Sequence, residues 1–196
     1  MANAAQDEQL LLAQVAAGDE EALRQLYLAY RPRLRRYLWH QLDGDMAVVE
    51  EALQDVFLAV WRTAEGYRAD ARVTTWIYQI AHYVALGIRR RMARHPDTLR
   101  LEGPDADDAS GQGAAAYDAC DDSVLNRLAL SDALDGLTPK YREALALVFQ
   151  HGFSLHEAAQ ILDVPVGTVK SRISYARKAL LRALAATPVE ETSHEA

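Results

Sequence analysis

Between Pro96 and Ser123 the chain loses its apolar periodicity. The segment holds eight acids (Asp97, Glu102, Asp105, Asp107, Asp108, Asp118, Asp121 and Asp122) against one base, Arg100, among Ala and Gly. Apolar side chains do not recur there at three- or four-residue spacing, so no helical face can cover a core. The segment reads as a flexible, charge-extended linker, and whatever packs must pack on either side of it. It also carries the net charge of −7 for the whole chain. Residues 1–95 hold twelve acids and twelve bases, and residues 124–196 hold eight of each. The acidity is therefore local and does not argue against nucleic-acid binding by the flanks.

Both flanks read as helical. Ala (35) and Leu (26) far outnumber Gly (10) and Pro (6), a balance that favours helix, and no strand-like alternation is sustained. The pattern predicts helices over Asp7–Ala17, from Glu20 behind an Asp19 cap, over Asp45–Thr63, and from about Thr74 to Arg94. Pro32 falls within the second, where it predicts a kink or break. The apolar stripes are Leu26, Tyr30, Leu34, Tyr37 and Leu38; Val49, Ala52, Leu53, Val56, Phe57 and Val60; and Ile77, Ile80, Ala81, Val84 and Ile88. Beyond the linker, helices are predicted over Val124–Leu137 and from Thr138-Pro139 to His151, the latter stopped by Gly152. Ser154 and Glu157 form a capping box for a short helix to Leu162. After a tight turn, Pro165 opens the last helix, to about Ala185, and residues 187–196 read as a frayed, disordered tail. The expected fold is all-α: two small helical domains, 1–95 and 124–186, joined by the flexible acidic linker 96–123.

Several classes are disfavoured. Cys120 is the only cysteine, which leaves neither an intrachain disulfide nor a cysteine-built zinc cage. His151 and His156 lack partners at metal spacing. No nucleophile elbow, P-loop or paired-histidine zinc motif occurs, so no catalytic residue, metal or cofactor is expected. Val73–Ile88 is uncharged for sixteen residues. Polar Thr74, Thr75, Gln79 and His82 make it a buried helix rather than a membrane span. No secretory signal pattern is seen. The expectation is a cytoplasmic protein without membrane insertion.

A short capped helix, a tight turn and a second helix form a helix-turn-helix pattern in the C-terminal domain. The second helix buries Val166, Val169, Ile173, Ala176, Leu180 and Leu184 on one stripe. Its other face carries Ser171, Tyr175, Lys178 and Arg182, edged by Thr168 and Ser174. From Val164 to Val189 there are five bases and no acid. A duplex reader needs cations for phosphates and hydrogen-bonding groups near the front of the helix. The plain alternative, a solvated basic face, leaves the preceding capped helix unexplained. In the third helix, Leu58 and Trp61 lie off the core stripe beside Glu51, Gln54, Asp55 and Arg62. An apolar centre in a polar rim suits protein docking, although Trp61 could equally pack within its own domain. In the fourth helix, Trp76, Tyr83, Arg90 and Arg94 share a face suited to stacked, unpaired bases and their phosphates. The plain alternative makes Trp76 a core residue.

The segment LTPKYREALALVFQHGFSLHEAAQILDVPVGTVKSRISYARKALLRAL (Leu137–Leu184) resembles the fourth conserved domain of sigma-70 family sigma factors of the extracytoplasmic-function (ECF) type. LYLAYRPRLRRYL (Leu26–Leu38), EEALQDVFLAVWR (Glu50–Arg62) and TTWIYQIAHYVALGIRRR (Thr74–Arg91) resemble the second domain, in the expected order. The resemblance implies that core RNA polymerase docks on Glu51, Gln54, Asp55, Leu58, Trp61 and Arg62. It implies capture of the promoter minus-ten strand by Tyr67, Arg68, Arg72, Trp76, Tyr83, Arg90 and Arg94. It implies reading of promoter DNA at the minus-thirty-five element by Thr168, Lys170, Ser171, Arg172, Ser174, Tyr175, Arg177 and Lys178. It also implies a cognate anti-sigma factor, and a linker that enters the basic RNA path of the polymerase. The chain departs from the family at Tyr83 and Gly87, where Asn and Asp are common. The competing reading is a stand-alone helix-turn-helix regulator of duplex DNA. That reading calls for a dimerisation element, and no heptad run supplies one.

Overall fold

The computed structural model describes residues 2–94, 134 and 136–186, with side chains described for 6–94, 134 and 136–182. The linker, most of the helix expected over Val124–Leu137, and the tail lie outside the described residues. Every described element is helical. The N-terminal module comprises α1 (Ala2–Ala16), α2 (Glu20–Gln41), α3 (Met46–Thr63), a 3₁₀ turn (Ala64–Gly66) and α4 (Val73–Arg94). The C-terminal module comprises α5 (Pro139–Leu145), a π-helical turn (Ala146–Gln150), α6 (Leu155–Leu162) and α7 (Val166–Ala186).

Local chemistry sets most of the boundaries. The Asp19 carboxylate accepts from the amides of Glu21 (2.8 Å) and Ala22 (3.1 Å), which opens α2. Asp45 does the same for Ala47 (2.9 Å) and Val48 (3.2 Å) at the start of α3. Such caps satisfy amides that have no partner inside the helix. Both halves of the Ser154–Glu157 capping box are formed. Thr138, by contrast, makes no side-chain cap bond to α5. The helix there opens on the fixed φ of Pro139 instead.

Pro32 does not break α2, which runs as one helix from Glu20 to Gln41. Proline inside a helix costs roughly 3 kcal/mol. The residues on either side, Tyr30, Leu34, Tyr37 and Leu38, are all buried, and at about 2 kcal/mol for each large apolar side chain their burial exceeds that cost. Packing, rather than propensity, keeps the helix continuous.

The N-terminal core is built mainly from the expected stripes, although Ile80 and Val84 of the α4 stripe are only half-buried. Leu26, Leu34, Leu38, Val49, Leu53, Val56, Val60, Ile77 and Ala81 are fully buried. The core does not stop at the module boundary. Ala144, Leu147, Phe153, Ala158, Ile161 and Leu162 continue the same apolar cluster from the C-terminal side. Helix α6 packs along α4, and α5 meets α2.

Two glycines behave oppositely. Gly44, in the α2–α3 turn, has φ +77°, and a Cβ there would lie 3.0 Å from the Trp39 ring. Gly87, in mid-α4, has open space where a Cβ would stand, and nothing in the structure explains it. Gly44→Ala is expected to cost about 1–2 kcal/mol. Gly87→Ala is expected to add about 0.5–1 kcal/mol. Thermal unfolding followed by circular dichroism checks both, with midpoints moving in opposite directions.

Candidate nucleic-acid and polymerase interfaces

The basic face of α7 is free. Lys170, Ser171, Ser174, Arg177 and Lys178 are exposed, while Thr168 and Arg172 are half-buried at its edge. Val169 and Ala176 are buried beneath, and Leu184 lies where no side chain is described. The Ser171 hydroxyl donates to the Thr168 carbonyl at 2.9 Å. Tyr175 is 56% exposed, yet its ring stacks on Tyr141 of α5 at 4.4 Å and 26°. The Lys140 ammonium lies 4.9 Å from the Tyr141 ring centre. Sequence reasoning missed Tyr141 and Lys140. The only signal was a Lys-Tyr pair at the front of a helix that otherwise reads as support.

On the N-terminal module, Tyr67 and Trp76 are both half-buried, with rings 5.4 Å apart. The Tyr67 hydroxyl donates to the Ala71 carbonyl at 2.6 Å and holds the loop before α4 closed. Burial pushes that phenol above its ordinary pKa, so it remains a donor. Arg68, Arg90 and Arg94 are exposed. Arg72 and Tyr83 are also exposed, but they are engaged. Arg72 lies 3.5 Å from Glu157 of α6, and the Tyr83 hydroxyl donates to Asp163 at 2.8 Å. That bond to a carboxylate raises the Tyr83 pKa, more than burial does. Asp163 caps the end of α6 in a left-handed conformation, φ +50°.

On α3, Glu51, Gln54 and Arg62 are exposed, Leu58 is 45% exposed, and Asp55 and Trp61 are half-buried. Trp61 packs against the core along one edge. An apolar strip thus remains at the surface inside a polar rim.

The seam between the modules contains groups that sequence reasoning did not single out. The Glu143 carboxylate is 2% exposed. Its Oε1 accepts from the Tyr37 hydroxyl at 2.5 Å and lies 2.7 Å from His82 Nδ1. Tyr78 packs edge-on against Phe153, with ring centres 4.7 Å apart, and its hydroxyl lies 3.1 Å from His151 Nδ1. Burial pushes the Tyr37 and Tyr78 hydroxyls well up, so both stay protonated.

The chain matches two family models, Sigma-70 region 2 over residues 26–95 and Sigma-70, region 4 over residues 127–180. This is a two-region protein of the sigma-70 class. The ECF sigma factor SigM of Mycobacterium tuberculosis is 34% identical over 180 residues, which span 91% of this chain and 84% of that protein. The ECF sigma-E factor of Escherichia coli is 28% identical over 178 residues, 88% of this chain and 92% of its own length. The chain belongs to the ECF subfamily of the sigma-70 family. Its fold is shared with CnrH, solved with the cytosolic domain of CnrY (TM-score 0.65, 22% identity, 93% of this chain and 99% of that one). It is also shared with the sigma factor RpoE of Bartonella quintana, solved with the anti-sigma factor NepR (TM-score 0.61, 23% identity, 84% and 98%).

Burial, then the nearby Arg36, His40 and Arg33, pushes His151 down from 6.5 to about 4. The folded chain therefore binds fewer protons than the unfolded one between those values, and stability falls as pH drops through that window. Urea midpoints at pH 7 and pH 5 should show a loss at pH 5. The loss should be clearly smaller in His151→Gln; an equal loss would remove His151 as its source.

Proposed function

We propose that this chain specifies promoters for core RNA polymerase and catalyses no reaction itself. Residues 1–95 dock on polymerase through Gln54, Asp55 and Leu58 of α3. The same module takes up the unpaired minus-ten strand on the outer face of α4 and the loop before it. Residues 124–186 read the minus-thirty-five duplex with Lys170, Ser171 and Arg172, and residues 96–123 connect the two. The chain acts in the cytoplasm beside the polymerase; among the described residues no helix is long and apolar enough to cross a membrane. An anti-sigma factor restrains the chain until a signal arrives, a reading supported by the structural neighbour solved with the anti-sigma factor NepR.

The observation that carries this reading is a pair of matched regions in order on one chain, the second ending in an acid-free helix with an unobstructed basic face. Phosphate contacts on such a face set affinity, and side chains at its front set sequence preference.

The test is transcription from genomic promoter fragments by core polymerase with and without the purified chain. Discrete promoter-initiated transcripts that depend on the chain are expected. Tight duplex binding by the chain alone, with no transcript, would favour the stand-alone regulator. Leu58→Asp should weaken core binding about tenfold or more, since it puts a charge into an apolar contact, while leaving the fold intact. Lys170→Ala should reduce promoter affinity and lower the salt slope by about one phosphate contact.

A further inference from the structure

We propose that Glu143 is a latch that closes the two modules on one another and withdraws Arg72 and Tyr83 from nucleic acid. The closed form thereby competes with minus-ten strand capture without any other protein. This inference rests on the minus-ten assignment of the preceding section.

The first observation is the setting of Glu143. It is 2% exposed, and both hydrogen-bonding partners recorded for its carboxylate, Tyr37 and His82, belong to the other module. Its sequence neighbour Arg142 turns the other way, donating to the carbonyls of Leu134 and Leu137 at 3.1 and 3.2 Å. A carboxylate taken out of water needs its partners. With the modules apart, those partners are gone and water must take their place. With the modules together, the Tyr37 hydroxyl and His82 Nδ1 meet a single oxygen of the buried group. Closure also buries Ala144, Phe153, Ala158 and Leu162 in the shared apolar cluster, so the polar cluster is one part of what holds the modules, the part that is assembled only by closure.

The second observation is what closure occupies. Glu157 and Asp163 stand at the two ends of α6, which packs along α4. They engage Arg72 and Tyr83 from there at 3.5 and 2.8 Å. Each offers an anionic oxygen, the group that a strand's phosphate would offer. These two contacts are exposed and so exchange readily with solvent or a phosphate. The buried seam, with Glu143 in it, holds the modules, and the exposed pairs cover the site. A ligand whose site is available in only a fraction of molecules binds more weakly by that fraction.

The experiment uses the full chain, free of polymerase. Glu143→Gln keeps the shape and removes the charge. Tyr37→Phe keeps the ring and removes one donor, and serves where the first variant folds poorly. Circular dichroism checks helix content. Small-angle scattering reports the radius of gyration, and a labelled single-stranded oligonucleotide carrying the non-template minus-ten sequence of a promoter the chain uses reports strand binding. Expected are an expanded chain with unchanged helix content and a strand affinity raised about threefold or more by the larger open fraction. An unchanged radius in both variants overturns the latch. Expansion with unchanged strand affinity, in a chain that does bind the strand, overturns the covering of the site. A chain that binds no strand even when expanded overturns the minus-ten assignment and this proposal with it, and is told apart by its altered radius.

Discussion

Helix α4 is asked to do more than one circumference readily allows, and the arrangement of the molecule follows from that. Ile77, Ala81 and Ile88 form the stripe that closes the N-terminal core. Beside it, Thr75, Tyr78, His82 and Ala85 form a second buried stripe. Tyr78 and His82 on it reach the C-terminal module. The remaining arc holds Tyr83, Gly87 and Arg90, all exposed. An isolated surface helix buries one stripe. A second one means a second body, and here that body is the helix-turn-helix. Its outermost groups fall on the same arc of α4 that is suited to bases.

The first stripe was legible in the sequence because it is wholly apolar. The second has the same three- and four-residue spacing, but its members are Thr, Tyr, His and Ala, whose polar tips mask the period. From sequence, His82 accordingly reads only as one of the polar residues that argue against a membrane span, with no partner. The caps at Asp19 and Ser154 were legible because their chemistry is local: each acts within three residues of itself. The Tyr37–Glu143 bond joins residues 106 positions apart, and no local pattern announces it. The break expected at Pro32 is absent for a related reason. Local propensity predicts a kink or break there, while burial on both sides of the proline, a tertiary fact, holds α2 together.

Of the candidate site, the α7 face was the most legible part, since an amphipathic helix with Lys178 and Arg182 opposite its apolar stripe and its other bases along the edges states its own orientation. The α3 face was half legible. Leu58 stands out as expected, while Trp61 divides itself between core and surface. Least legible was the state of Arg72 and Tyr83. Sequence could nominate both as nucleic-acid contacts, but it could not show that α6 already engages them.

Counting charges by module also hid an asymmetry. Residues 124–196 balance in number only because the tail adds Glu190, Glu191 and Glu195, and they do not balance in space. Glu143, Glu157 and Asp163 are all engaged by the N-terminal module, whereas the acid-free α7 directs Lys170, Arg177 and Lys178 to solvent. One side of the module is thus an anionic surface for Arg72, and the other a cationic surface for duplex. Nucleic acid would be drawn to the second and would have to displace the first. Repulsion between a strand's phosphates and Glu157 works in the same direction, since a strand approaching Arg72 raises the cost of keeping Glu157 beside it. The two modules therefore need not communicate through a rearranged core. On the proposed minus-ten assignment, competition between two kinds of anionic oxygen for the same arginine and tyrosine would couple opening of the chain to occupation of that site.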